Sequence, residues 1–230
     1  YRIRSCEDSR DYFKAFMQTI TNHEFEALVE NAKILEQDKR GGKVFLTTDN
    51  RIVKCFRAKR HSISSNRIWP YATRFMNNAI KLKQRGITSV AVTHNYFIPE
   101  KSRYAVVYPL LPGKTIREAL QGDESLSGTI SYIAHLHDKG IYFRSLHFGN
   151  ILLQPDNQYA LIDIADMQFH WFNLSLFSRL RNFRHLLLYP QDKAAILAYG
   201  KNETLKTYLE ATQLSKLSQF IFSRIYYRFF

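Results

Sequence analysis

Two oxygen-bearing side chains, Asn150 and Asp163, stand at opposite ends of the run "FGNILLQPDNQYALIDIAD". Between them, two apolar stretches flank Pro155-Asp156-Asn157, a turn signal that predicts a hairpin. Closing that hairpin brings both oxygens to one place. An amide oxygen and a carboxylate suit magnesium, which takes few protein oxygens and fills its shell with phosphates and water. The chemistry so implied is phosphoryl transfer. It needs phosphates positioned, charge neutralised and a hydroxyl oriented, with little covalent help from the protein.

Three further pieces belong to such a site. The first is a lysine on a strand, and "RIVKCF" offers Lys54. On spacing alone, Lys54 could equally point to solvent from an edge strand. The second is a glycine turn, and Gly41-Gly42 in "DKRGGKV" could either shape a hairpin or touch phosphate. The third is an acidic base in the loop before Asn150. In "FRSLHFGN" the place of that acid is taken by Ser145. A serine hydroxyl is a poor base near neutral pH, and loss of a general base slows a reaction by roughly 10²–10⁴. Two nearby groups could substitute. Asp166 could turn toward the substrate, and His147 could accept a proton or orient the loop by hydrogen bonding. The helix after Lys54 contains no Asp or Glu, so Asn77 and Asn78 are its only candidate partners there.

The elements needed to hold these residues follow from the pattern. Ser9 to Leu35 reads as one or two helices, with Phe13, Phe16, Phe25 and Leu28 in apolar spacing. A strand near Ile34, a strand from Val44 to Thr47 and another from Ile52 to Phe56 predict an antiparallel meander. Pro70 opens a helix and Gly86 closes it. Strands fit "SVAVTHNYFIP" and "RYAVVYPL". Beyond Pro112-Gly113, helices are predicted over Thr115–Leu120 and Ser127–Lys139, the second closed by Gly140. After the hairpin, everything from Asn173 onward reads helical. The fold class expected is α+β and two-lobed: a small antiparallel sheet plus a helix, then a mainly helical part. Its divisions are an N-terminal helical extension over 1–32, a first lobe and hinge over 33–111, and a second lobe over 112–230.

The chain has 230 residues, 45% of them hydrophobic, with a formal net charge of +13 and a pI near 9.7. That favours a folded protein with an anionic partner. Two cysteines support neither a disulfide framework nor a zinc cluster, so a reducing, cytoplasmic setting is expected. The histidines of "HLH", His135 and His137, do not share a helix face and argue against zinc. Arg57, Lys59, Arg60 and His61 form one basic cluster, and Arg179, Arg181, Arg184 and His185 another. Either is a solvated face or a cradle for a phosphorylated glycolipid. No nucleic-acid recognition motif is present. The tail "LSKLSQFIFSRIYYRFF" mixes aromatics with Lys216, Arg224 and Arg228, which fits an interfacial membrane helix or a packed terminal helix.

"FRSLHFGNILL…LIDIADM" resembles the bacterial lipopolysaccharide kinases, the Kdo and heptose kinases, and among them the subgroup called toluene tolerance proteins. "VKCFRAKR", "PYATRF", "LPGKTIREAL" and "RLRNFRHLL" support the resemblance, which covers Lys33 to Leu188. It implies a protein-kinase-like fold binding ATP and Mg2+. Lys54 would contact the α- and β-phosphates, and Asn150 and Asp163 would hold the metal. "YPLLPG" would be the hinge, with the Pro109 carbonyl and the Leu111 amide meeting adenine. The acceptor would be a lipopolysaccharide core sugar, an anionic glycolipid or phosphosugar, at the cytoplasmic face of the inner membrane. The replacement of the catalytic acid by Ser145 implies weakened catalysis or a nucleotide-binding pseudokinase that acts through a partner.

Overall fold

The computed structural model describes residues 17–39, 41–58, 70–122 and 125–230. The chain folds as two compact units, one made of Tyr1–Ile80 and Val90–Leu111, the other of Lys81–Ser89 and Pro112–Phe230. The fold is α+β, as expected: a sheet with helices, followed by a mainly helical unit.

The first unit contains β1 (Met17–Thr19), α1 (Asn22–Leu28), β2 (Lys33–Asp38), β3 (Gly41–Leu46), β4 (Arg51–Arg57), α2 (Tyr71–Gln84), β5 (His94–Ile98) and β6 (Arg103–Pro109). The strands form one sheet in the order β1-β5-β6-β4-β3-β2. Every pair is antiparallel except β1 with β5, where Met17 lies opposite Asn95. Met17–Thr19, expected to be helical, is a strand instead. A partner 78 positions along the chain, outside any local periodicity, completes its hydrogen bonds. α1 begins with a capping box: the Thr21 hydroxyl accepts the Glu24 N–H, and the Glu24 carboxylate accepts the Thr21 N–H.

Alternation along β4 sorts its side chains between two faces. Val53 and Cys55 join Phe25, Phe45, Ile98, Ala105 and Val107 in one buried cluster. Ile52, Lys54 and Phe56 face the other way, where Phe75 of α2 lies 5.6 Å from the Phe56 ring and 5.5 Å from Tyr108. Burial on both faces requires a central strand, and β4 sits between β6 and β3.

The second unit contains β7 (Lys114–Thr115), α3 (Ile116–Ala119), α4 (Leu126–Asp138), β8 (Ile141–Phe143), β9 (Ile151–Leu153), β10 (Tyr159–Leu161), β11 (Met167–Phe169), α5 (Leu176–Leu186), α6 (Pro190–Tyr199), α7 (Lys201–Ala211) and α8 (Lys216–Tyr226). Strands β10, β9 and β7 form one small sheet, and β11 pairs with β8 in another. Side-chain caps start α4, α5 and α8: Ser125, Ser175 and Ser215 each accept a backbone N–H of the first turn. Gly140 ends α4 with φ 71°, and a Cβ there would lie 2.4 Å from the Phe172 carbonyl oxygen. Only glycine fits that approach.

The core of this unit is aromatic. Phe183 meets Tyr208, Phe222 and Tyr226 edge-on at 4.8–5.8 Å. Phe222 and Tyr226 are fully buried, so the tail helix packs and does not stand free. Arg179, expected in a surface cluster, is also fully buried and forms an ion pair with Asp138 at 2.7 Å. Among the described residues no helix is long and apolar enough to cross a membrane.

Candidate phosphoryl-transfer site

Register places the two candidate metal ligands side by side. β9 pairs with β10 so that Ile151 faces Leu161. One step outward, the Ile162 N–H donates to the Asn150 carbonyl at 3.1 Å. Asn150 is therefore adjacent to the chain that leads directly into Asp163. The turn 155–157 sets this register, with Asn157 at φ 61° and the Gln154 N–H bonded to the Gln158 carbonyl. Asp163 itself has φ 52°, a left-handed conformation that costs a non-glycine residue about a kcal/mol or more and is concentrated at functional sites.

The Asn150 side chain is buried, and its Nδ2 donates to the Ser145 carbonyl at 3.0 Å. That bond fixes the amide and leaves Oδ1 as its acceptor. Asn150 Oδ1 and the Asp163 carboxylate are hard oxygen donors of the kind magnesium takes. Among the described residues no cluster of three or more His, Cys, Asp or Glu side chains could hold an ion. Ser145, half-buried, is thus tied to Asn150 through its backbone carbonyl.

The rest of the loop is held by a residue that sequence reasoning missed. Asp192, in the first turn of α6, is fully buried. Its Oδ2 accepts the Phe148 N–H at 2.8 Å, and its Oδ1 accepts Arg117 Nε at 2.6 Å. His147 lies against the Tyr189 ring at 4.6 Å, and its Nδ1 is buried with no hydrogen-bond partner among the described residues. Burial lowers the His147 pKa first and Arg117 lowers it further, while Asp192 and Asp163 oppose them. Neutral imidazole is favoured, which is the form that accepts a proton.

Asp166 is engaged elsewhere. Its carboxylate lies 3.8 Å from the Arg144 guanidinium, and its carbonyl accepts the Arg144 N–H at 3.0 Å. Turning toward a substrate would cost the first contact.

Behind the loop runs a chain of buried hydrogen bonds. Arg179 donates to the Tyr208 oxygen at 3.1 Å, and Tyr208 and His137 Nδ1 are 2.8 Å apart. His137 Nε2 is 3.1 Å from Asn182 Oδ1, and Asn182 Nδ2 donates to the Phe143 carbonyl at 2.7 Å. The last bond orients the Asn182 amide, so His137 must donate from Nε2 and accept at Nδ1. This histidine, one of the "HLH" pair, is committed to structure.

The first unit supplies its candidates separately. Lys54 is only 5% exposed, and its Nζ lies 5.9 Å from the Phe56 ring centroid and 5.8 Å from that of Phe75. It is not the solvent-facing edge lysine that the sequence also allowed. Gly41 and Gly42 do not form the turn itself. They pair with Asp38 and Gln37 at the start of β3. The Phe45 ring covers Gly42 so closely that a Cβ would come within 2.2 Å of it, and Arg103 occupies the Gly42 carbonyl at 3.1 Å. Pro109 ends β6 opposite Arg51, the following Leu110 N–H donates to the Asn50 carbonyl at 2.9 Å, and Leu111 lies beyond. Of the first basic cluster, Arg57 pairs with Asp38 at 2.7 Å. Lys59, Arg60 and His61 lie outside the described residues.

No family model and no curated protein matches the chain. Similar solved structures include three of WbdD. Monomeric WbdD is 21% identical over 55% of this chain and 32% of its own, with a TM-score of 0.37. A second WbdD structure is 16% identical over 80% and 48%, with a TM-score of 0.40. A third, of the bifunctional kinase-methyltransferase WbdD, is 17% identical over 80% and 47%, with a TM-score of 0.39. The chain spans between a third and a half of the length of these structures.

Proposed function

We propose that this protein is an ATP-dependent, kinase-like phosphotransferase with weakened catalysis, acting on a lipopolysaccharide core sugar. The observation that carries the reading is the juxtaposition of Asn150 and Asp163, with Asn150 anchored on the Ser145 carbonyl. Magnesium bound there would neutralise phosphate charge. Lys54 would meet the α- and β-phosphates, and the Pro109 carbonyl and Leu111 amide would meet adenine. The γ-phosphoryl group would pass to a sugar hydroxyl, giving ADP and a sugar phosphate. The hydroxyl proton would have to leave without a carboxylate, at a cost of roughly 10²–10⁴ in rate, about 3–5 kcal/mol of barrier. The net charge of +13 suits an anionic glycolipid acceptor. The exposed side of α8, with Leu217, Phe220 and Arg224, suits contact with the cytoplasmic face of a membrane.

Ser145 also favours a second reading, a nucleotide-binding pseudokinase that acts through a partner. Both readings require nucleotide. Mg-ATP in large excess over its Kd should raise the melting temperature, since about 2.7 kcal/mol is gained at a hundredfold excess. Asp163→Asn, which keeps a residue tolerant of the left-handed backbone, should remove most of the magnesium-dependent part. The absence of any shift at millimolar Mg-ATP would sink both readings. ATP binding without phosphate transfer to core oligosaccharide, followed by mass detection, would leave the second.

A further inference from the structure

We infer that residues 171–188 form a docking surface for an anionic lipid membrane. The loop before α5 projects Trp171, 91% exposed, and Phe172, 83% exposed. α5 continues the surface. Its buried side is Arg179, Leu180, Asn182, Phe183 and Leu186. Its outer side is Phe177, 73% exposed, with Arg181 and Arg184 also exposed, and Leu188, 65% exposed, follows in the turn after the helix. Phe177, Arg181 and Arg184 follow at intervals of four and three, so they make one stripe along the helix. A globular protein buries such side chains unless something else covers them.

Charge decides what covers them. From Met167 to Gln191 the chain holds no Asp or Glu. His185, on the same helix, has its pKa lowered by burial and then by the charges of Arg181, Arg144 and Arg184, with Asp166 opposing. A protein partner rich in apolar groups would meet clustered guanidiniums at the centre of its interface. Lipid offers both halves of the complement. Tryptophan and phenylalanine seat at the headgroup boundary, and arginines stay among anionic headgroups. The residues of this surface lie outside α8, and its occupancy does not depend on phosphotransfer.

The full chain should float with vesicles of phosphatidylcholine and phosphatidylglycerol, and much less with phosphatidylcholine alone. Trp171→Ser with Phe172→Ser, and separately Arg181→Glu with Arg184→Glu, should each weaken anionic-vesicle binding at least about tenfold. All four side chains are exposed, so the melting temperature serves as the folding control. The chain has two tryptophans. In a Trp69→Phe background the emission of Trp171 should move to the blue when anionic vesicles are added. Binding that survives both double variants, or a Trp171 emission that stays fixed while the protein floats, would overturn the inference. So would a dimer in solution that Trp171→Ser converts to monomer, since the surface would then belong to a second copy.

Discussion

The Phe148 N–H donates to Asp192 Oδ2 at 2.8 Å, across 44 positions of sequence. One carboxylate therefore holds the backbone of the loop between Ser145 and Asn150, while its other oxygen holds Arg117. Asp192→Ala should lower stability by about 2–3 kcal/mol, because it strands a buried N–H and one partner of an ion pair. Arg117 keeps some solvent contact, which limits the loss. Asp192→Asn, which retains an acceptor, should cost less. Urea unfolding of the three proteins checks the order.

Under the proposed function, activity turns on Ser145. If it marks only a missing base, Ser145→Asp should raise turnover on the acceptor by at least about tenfold, and Ser145→Ala should change little. Assays of wild type and both variants on one oligosaccharide panel decide this. A wild type more active than Ser145→Asp, with Ser145→Ala dead, would mean that the hydroxyl itself is used and would refute the account given of the loop.

Acid should unfold the second unit through His137. Burial, and then Arg179, lower its pKa from 6.5 to about 3. Below pH 6.5 the unfolded chain takes up a proton that the folded chain refuses, so stability falls as pH drops from 6.5 toward 3. The slope is at most about 1.4 kcal/mol per pH unit for this group. His147 and His185 shift in the same direction and add to the slope. His137→Gln keeps an amide donor and acceptor but cannot titrate, and should flatten the profile measured by urea melts on both sides of pH 6.

The tail divides by face. Tyr226→Ala should cost about 3–5 kcal/mol as a large buried truncation, and removing everything after Phe222 should cost more. Leu217→Ser, at a side chain 70% exposed, should be nearly neutral. Thermal melts of these variants would show whether the membrane contact proposed for α8 can be tested without unfolding the protein. Only the outer-face substitutions are suited to it.

What could be seen in the sequence was local. The adjacency of Asn150 to the chain leading into Asp163 was legible because one hairpin turn sets its register. Lys54 was ambiguous because its strand becomes central only when β6, some fifty residues later, pairs with it. Asp192 carried no local signal, since Phe148 and Arg117 lie 44 and 75 positions away. Arg179 looked like its exposed neighbours Arg181 and Arg184, and only the fold brings Asp138 to it. Met17–Thr19 was misread because helical spacing in Phe13 and Phe16 was the one local cue, while the parallel partner was remote.

The hydrogen-bond chain from Arg179 to the Phe143 carbonyl gives the loop an unusual dependence on the helices behind it. Phe143 cannot move from its place without breaking the Asn182 bond, and Asn182 cannot turn without stranding His137 in an apolar interior. In deuterated water, the amides of Phe148 and Asn150 should then exchange no faster than the helical core around them, as members of one cooperative unit. Most loops that meet ligands open far more readily than their scaffold. Here, whatever the second unit binds must be met by a surface already in place, and the ordering of 143–150 is settled at folding rather than at each encounter.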